Sequence, residues 1–429
     1  MATVSLLSIG DELLLGEIVD TNKPYIAQQL LPLGLTVVGA ETVGDEIGDI
    51  VAAFQRALSR ADIVIATGGL GPTDDDLTNE ALAKTLGVEL EFRDDVMEQM
   101  AARLKRSVAS LPGSNRKQAL LPKGALVLRN DWGTAPGVHV PVEVRDGKFH
   151  VASPVSNATR HVFLMAGVPR EMKGILAERI IPFLKQSYRS GRVLAIKKLH
   201  AFGIPESVVG DRIKPMMQAG HNPNVGTRVG GGVVTVRLVA SGSTDAEAQA
   251  ILQPCVERAR EALREGLFGE DDQTLAEATL SALLKRKSTV AIAESCTAGL
   301  ISAMLTEVPG SSAALLEGTV VYSNEAKVRT CAVKPETLAA HGAVSAQTAA
   351  ELASGIRERA RADFGLSVTG IAGPGGGTET KPVGLVYFGI ATAAGVRTVE
   401  RNYPGLDRGM VRDRAATQAL DLLRRAALE

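Results

Sequence analysis

The sequence predicts an α/β protein. Two α/β domains with parallel-type sheets, at residues 1–172 and 269–429, are joined by a small α+β domain at 173–268. Three observations predict this. Short apolar runs alternate with helical-period segments at both ends of the chain, as in parallel sheets covered on both faces. Glycines cluster where predicted strands end, at Gly10, Gly68-Gly69 and residues 373–377; open α/β sheets take ligands at the carboxyl ends of their strands. The chain has 429 residues, too many for one ordinary domain.

Each element follows from its own pattern. Residues 3–9 form an apolar run ending at Gly10, the mark of a buried strand. Residues 21–33 have helical spacing with Asn22 as N-cap, 35–40 read as a strand and 47–59 as a helix. A β-branched strand at 62–67 breaks at Gly68-Gly69, and a helix resumes at 79–86. Beyond 173 the pattern changes. A strand at 197–204, a helix at 205–217 and a turn-rich stretch at 219–224 precede two strands within 224–240, interrupted by Gly230-Gly231-Gly232. A long amphipathic helix at 245–264 is capped by Ser243-Thr244. The last part reads as helix 274–285, strand 289–293, helix 297–305, strand 319–322, helix 346–361, strands 364–368 and 384–391, and a closing amphipathic helix at 409–424.

Composition narrows the class. Lys plus Arg is 47 and Asp plus Glu is 48, a net charge of −1, which argues against a nucleic-acid partner. No uncharged apolar run reaches the roughly 20 residues of a membrane span. The N-terminus lacks the basic region of a secretory signal. Three widely spaced cysteines, Cys255, Cys296 and Cys331, form no CxxC pair, which suits a reducing, cytoplasmic compartment.

The first candidate site is the stretch 67–78, between a strand and a helix. Its glycines let backbone amides approach an anion, aided by the helix N-terminus. Asp74, Asp75 and Asp76 repel one another unless a cation sits among them, and a divalent ion with oxygen ligands answers this. Capping of the following helix answers it equally well. Asp11 and Glu12, at the end of the first strand, are further ligands in the first reading. Gly10-Asp11-Glu12-Leu13-Leu14-x-Gly16, Asp20-Thr21-Asn22 and residues 68–78 together resemble the N-terminal half of the competence/damage-inducible protein A (CinA) family. That half is similar to molybdopterin-binding domains of the MogA/MoeA type. The resemblance implies a metal-dependent ADP-ribose pyrophosphatase producing AMP and ribose 5-phosphate, or else molybdopterin binding. It implies ligand contacts from Gly68, Gly69, Gly71, Thr73, Asn115 and Lys117, and a divalent Mg, Mn or Co ion on Asp11, Glu12, Asp75 and Asp76. One departure stands out: the family's Leu-Pro-Gly-Val-Pro-x-Glu-Met is Met165-Ala166-Gly167-Val168-Pro169-Arg170-Glu171-Met172 here, a change of backbone stiffness that keeps Glu171.

The second candidate site is the turn Glu294-Ser295-Cys296-Thr297-Ala298-Gly299, again between strand and helix. Such a turn presents a hydroxyl or thiol beside free amides, a placement for a nucleophile and an oxyanion hole. Cys296 at a helix N-terminus predicts a lowered thiol pKa. Ser295 needs a base, and with no histidine in a partner segment a lysine made neutral by burial serves. On chemistry alone both stay open, as does simple helix capping by Ser295 and Thr297. Tyr322 and Lys327, five positions apart after the next strand, can turn toward one pocket. The run Thr369 to Thr378 reads as a phosphate cradle without the Lys-Ser/Thr ending of a P-loop. Arg408 and Arg412 open the last helix, where each can pair with a ligand phosphate or with carboxylates.

These blocks, in this order, resemble the family's C-terminal domain, the nicotinamide-nucleotide amidohydrolase, which deamidates nicotinamide mononucleotide to the nicotinate form plus ammonia. The resemblance implies Ser295 as nucleophile, in preference to Cys296, with Tyr322 and Lys327 as activating partners and no cofactor. It implies substrate contacts from Cys296, Thr297, Gly299, Thr369, Gly370, Gly373, Gly375, Gly376, Arg408 and Arg412. The middle segment is similar to the KH-type domain of long family members. It lacks a Gly-x-x-Gly clamp between helices and reads as a spacer or a scaffold for a homodimer. The rival readings are a molybdopterin-binding protein and a non-enzymatic adaptor linked to DNA uptake or repair.

Overall fold

The computed structural model describes residues 2–152, 160–188, 193–218 and 220–429. Ala219, in the predicted turn at 219–224, lies outside them. The chain divides into two compact units, Met1–Ala195 with Ser241–Gln249, and Ile196–Ala240 with Ala250–Glu429.

The first unit carries β1 (Thr3–Ile9), β2 (Thr36–Val43), β3 (Ile63–Thr67), a short ladder of β4 (Leu90–Phe92) with β5 (Leu120–Pro122), β6 (Leu126–Leu128), β7 (Gly137–Arg145), β8 (Lys148–Val151) and β9 (Arg160–Met165). Its main sheet runs β2-β1-β3-β9-β7-β6, with β8 beside β7. The pairs among β2, β1, β3 and β9 are parallel. Those of β7 with β9, β6 and β8 are antiparallel. The sheet is therefore mixed, not parallel throughout. For β7 and β8 the reason is local: they are joined by Asp146-Gly147, both at positive φ, the two-residue turn that folds strands into a hairpin. The apolar residues of β1 and β3 are buried on both faces, under the helices Asn22–Leu30, Ile47–Arg60 and Thr78–Leu86. Asn22 is the first helical residue, not the cap. The capping oxygen comes from Asp20, whose Oδ1 accepts the amides of Asn22 (3.0 Å) and Lys23 (3.1 Å).

Apart from the first residues of β10 and the last of β12, the second unit holds a small sheet, β11-β12-β10-β13, of β10 (Val193–Phe202), β11 (Asn224–Gly230), β12 (Val233–Gly242) and β13 (Leu267–Glu270). The larger sheet runs β15-β14-β16-β17-β18, from β14 (Val290–Glu294), β15 (Leu315–Val320), β16 (Phe364–Gly370), β17 (Leu385–Thr392) and β18 (Gly395–Asn402). Here too only the centre is parallel: β14 pairs parallel with β15 and β16, and β17 and β18 close the edge as an antiparallel hairpin. The predicted strand at 319–322 actually ends at Val320, which leaves Tyr322 in the loop beyond it. Helices Leu275–Arg286 and Arg408–Leu428 pack against the sheet's apolar core on one face, Ala346–Ala360 on the other. No helix among the described residues is long and apolar enough to cross a membrane.

Candidate functional site

β14, Val-Ala-Ile-Ala-Glu, is buried throughout and ends on an acid. A buried carboxylate must be fully bonded to be tolerated, and Glu294 is. Its Oε2 accepts the amides of Gly299 (3.0 Å) and Ile301 (3.1 Å), and its Oε1 accepts the amide (2.9 Å) and hydroxyl (2.7 Å) of Ser302. Glu294 thus ties the start of helix Leu300–Thr306 back to the strand and fixes the turn between them. Sequence reasoning gave it no role; an acid closing an all-apolar strand before a helix was the available signal. Glu294→Ala strands these donors, so a loss of about 3 kcal/mol or more in urea-unfolding stability is expected.

Ser295 follows, nearly buried, its amide donating to Val368 O across β16 (3.0 Å). Lys327, from helix Asn324–Cys331, is 1% exposed. Its Nζ bonds the carbonyls of Val321 (2.9 Å) and Tyr322 (3.1 Å) and lies 3.3 Å from Ser295 Oγ. Burial lowers the Lys327 pKa from the usual lysine range, favouring the neutral amine. The nucleophile candidate and a base therefore touch, with no imidazole.

Cys296 departs from expectation. Burial, with the Glu294 carboxylate adding to it, pushes its thiol up to about 12. The helix N-terminus that was to lower it is already bonded to Glu294. In the turn, the amides of Ser295, Ala298 and Gly299 are taken by Val368 O, Ser295 O and Glu294. Among the described residues, those of Cys296 and Thr297 donate to no carbonyl or carboxylate. The Gly299 amide is thus not available for an oxyanion.

The remaining residues divide. The Tyr322 hydroxyl, on a side chain 59% exposed, accepts from Arg408 (3.1 Å), so the tyrosine meets Lys327 through its carbonyl instead. Arg408 also donates to Gly373 O (2.8 Å), linking the glycine run to Tyr322. Arg412 donates to Thr297 O (3.1 Å) behind the nucleophile turn. The Thr369 hydroxyl points to Ala343 O (2.7 Å), and Gly370 is packed tightly against Leu385 and Val386. Gly373 and Gly376 take positive φ, and Gly375 has open space where a side chain would stand.

In the first unit a separate cavity of about 590 Å³ lies at the carboxyl ends of β1, β3 and β9. Gly68 (φ +101°) makes it possible: a Cβ there would stand 2.0 Å from Ile9 O. Gly68, Gly69, Gly71, Glu12, Asp75 and Asp76 all line it. Asp76 is committed to the loop, accepting the amides of Gly71 (2.7 Å) and Thr73 (2.8 Å) and the Thr73 hydroxyl. Asp11 and Asp45 cap each other's amides. Burial and the charges of Asp11, Glu12 and Asp75 raise the Asp45 pKa, against the pull of the Asp11 amide. Lys117 braces the loop from outside, bonding the carbonyls of Thr73 and Asp74, and Asn115 bonds Gln118 (3.0 Å). It is Gln118, missed in the sequence, that lines the cavity. Glu171 lines it too, held by Asn130 (2.7 Å). Among the described residues no group of three His, Cys, Asp or Glu is placed to hold a metal ion.

Comparison with known proteins follows the same three segments. Residues 272–427 match the family model "CinA C-terminal domain", 196–269 "Damage-inducible protein CinA KH domain", and 5–186 "Probable molybdopterin binding domain". The chain is 41% identical to a protein of Alkaliphilus metalliredigens named for competence-damage induction, over 99% of both chains. It is 39% identical to a "CinA-like protein" of Kosmotoga olearia, over 99% of this chain and 98% of that one. Among solved structures, competence/damage inducible protein CihA from Agrobacterium tumefaciens is 43% identical, covering 36% of this chain and 94% of its own, with a TM-score of 0.35.

Proposed function

The chain belongs to the CinA family, and from that premise we propose that its C-terminal domain deamidates nicotinamide mononucleotide to nicotinate mononucleotide and ammonia. The observation that carries this reading is the buried Lys327 amine beside Ser295. A neutral amine has two N–H donors and one lone pair. As an ammonium Nζ donates to Ser295 Oγ and to the carbonyls of Val321 and Tyr322; in the neutral form the two carbonyls keep the two donors and the lone pair is left for Ser295 Oγ. Ser295 Oγ attacks the carboxamide carbon while its proton passes to Lys327. The amides of Cys296 and Thr297 receive the oxyanion, each such donor contributing roughly 3–4 kcal/mol. The C–N bond breaks, the Lys327 ammonium returns its proton to the departing nitrogen, and ammonia leaves. Water, deprotonated by the same amine, then releases nicotinate mononucleotide. The open glycine run at Gly375 and the Arg408 guanidinium, bonded among the described residues to the neutral oxygens of Gly373 and Tyr322, suit the substrate phosphate.

The test is ammonia release from nicotinamide mononucleotide by the whole chain, with nicotinate mononucleotide formed in equal amount. Failure to release ammonia overturns the reading. Cys296→Ser is expected to keep activity within a few-fold, because a thiol held near 12 supplies almost no thiolate at neutral pH. Abolished turnover in that variant with the fold intact would return the thiol to the mechanism.

For the N-terminal domain we propose hydrolysis of ADP-ribose to AMP and ribose 5-phosphate in the glycine-walled cavity. Among the described residues its lining holds the carboxylates of Glu12, Asp20, Asp45, Asp75, Asp76 and Glu171 and no lysine or arginine. A diphosphate therefore enters with a cation. The residues make no three-acid cage but suit an ion shared with the substrate, since Mg²⁺ commonly takes one or two carboxylates plus phosphate oxygens. Glu12 and Asp75, with Asp11 behind them, would hold it; Asp76 is spent on the loop. The divalent ion, Mg, Mn or Co, supplies charge neutralisation of the diphosphate. AMP formation from ADP-ribose should require added divalent ion and stop with chelator; equal rates with chelator would reject the metal.

A further inference from the structure

We propose that Lys381 is a positioning residue of the C-terminal site: its ammonium anchors the free arm of the glycine run, so that the run stands ready for the substrate phosphate. This rests on the reading that the run takes that phosphate, and it adds what holds the run in place. The run lies in the loop between β16 and β17. The base of the loop is closed by backbone bonds, Ile371 N to Leu385 O (2.9 Å) and Gly384 N to Ile371 O (2.8 Å). Beyond that base, residues 374–380 are all exposed. A glycine-rich stretch with no buried side chains loses the most conformational freedom on ordering. It meets a ligand in one shape only if something else holds it.

Two cations do so. On one arm Arg408 donates to Gly373 O (2.8 Å). On the other, Lys381 Nζ donates to His341 O (2.6 Å) and Val344 O (2.7 Å). These carbonyls flank the short link between helices Pro335–His341 and Ala346–Ala360, which is itself fixed. The Thr369 hydroxyl at the end of β16 donates to Ala343 O (2.7 Å), and Ser345 Oγ caps the second helix by accepting the Thr348 amide (3.2 Å). Lys381 also closes the tip of the loop: its amide donates to Thr378 Oγ1 (3.0 Å) and its carbonyl accepts the Thr378 amide (2.8 Å). Gly373 and Gly377 press on Val383, where a Cβ would stand 2.6 and 2.9 Å from its atoms. Gly375, between them, keeps open space around it.

Charge acts in the same direction. A lysine ammonium has three donors. Two go to the carbonyls, and among the described residues the third has no partner. Among those residues neither Lys381 nor Arg408 is paired with a carboxylate. Both arms of the run are thus held by cations on neutral oxygens, and a dianionic phosphate at the run is attracted by both. Lys381 acts through the loop and not on the reacting atoms, so it governs capture of the phosphate and not the deamidation step.

The test is ammonia release by the full chain carrying Lys381→Met, which keeps the stem and removes the donors and the charge. KM for nicotinamide mononucleotide should rise about tenfold, with kcat within about twofold of wild type. The ratio of kcat/KM for that substrate to kcat/KM for nicotinamide riboside, which lacks the phosphate, should fall by about the same factor. Lys381→Arg, which can still donate to both carbonyls, should recover part of the loss. A lysine that merely supports the fold would slow both substrates alike, so an unchanged ratio overturns the proposal. So does a fall in kcat with KM unchanged. Hydrogen exchange of residues 373–380 reads the anchor without any substrate: exchange should be faster in Lys381→Met, and wild-type rates there overturn the anchor. Absence of ammonia release from the wild-type chain overturns the amidohydrolase reading instead, and the exchange comparison then decides by itself whether Lys381 holds the loop.

Discussion

Ser295→Ala is expected to lower ammonia release from nicotinamide mononucleotide by about three orders of magnitude or more, with KM changed little. The asymmetry follows from what the substitution leaves in place. In the proposed mechanism the amides of Cys296 and Thr297 remain to receive the oxyanion, and Arg408 and the glycine run remain to take the phosphate. Substrate therefore still binds, while the oxygen that must form the ester is gone. Unfolding is not an alternative explanation. Among the described residues Ser295 Oγ makes one hydrogen bond, with Lys327 Nζ, and the turn is held by Glu294 and by the Ser295 amide. A net cost of about 1 kcal/mol is the scale for such a bond. Intact-mass spectrometry during turnover should show the acyl adduct on wild type and none on the variant. Undiminished turnover, or an adduct mapped to another residue, would remove the serine from the mechanism.

How much of this was legible depends on the range of the interaction. β1, β3 and β14 are short, mainly apolar runs bounded by a turn, and such strands announce themselves. The antiparallel edges are less visible. β18 is almost wholly exposed, so its residues carry little apolar period, and its pairing with β17 is what defines it. The Asp146-Gly147 pair is the visible sign of the turn between β7 and β8 in the sequence. In the site, residue types were legible and partners were not. Ser295 and Lys327 are 32 positions apart, and only the parallel pairing of β14 with β15 brings the following turns together. The Cys296 expectation failed because a helix N-terminus lowers a thiol pKa only if its amides are free. The sequence could not show that Glu294 occupies them, or that the thiol is buried. The resemblance implied ligand contacts from Lys117 and Asn115, but Lys117 bonds the loop's carbonyls, Asn115 bonds Gln118, and it is Gln118 that lines the cavity.

Lys327→Arg is expected to abolish deamidation, by about three orders of magnitude, and Lys327→Met to do the same for a different reason. A guanidinium cannot give up its proton in the working range, so the arginine variant keeps a cation at the site and loses the base. Methionine keeps most of the volume and removes both charge and lone pair, but it leaves the carbonyls of Val321 and Tyr322 without their donor. Each buried orphan costs about 1–3 kcal/mol. Against this, the methionine variant no longer has to keep an amine unprotonated in the interior. The sign of that term is fixed by the direction of the shift. Lys327 has a lower pKa folded than unfolded, because burial disfavours the charged form. The unfolded chain therefore binds the extra proton between the two values, and wild-type stability falls as pH drops from the ordinary lysine range to the lowered one. Lys327→Met should flatten that dependence, which chemical unfolding across the alkaline range will read. Activity obeys the same titration with the same sign. The neutral amine is the base, so kcat/KM of wild type should rise with pH through the lowered Lys327 pKa and level off before the usual lysine range. A rate that declines with rising pH across that interval, with the protein folded, would mean that the ammonium is the working form and that some other group takes the serine proton.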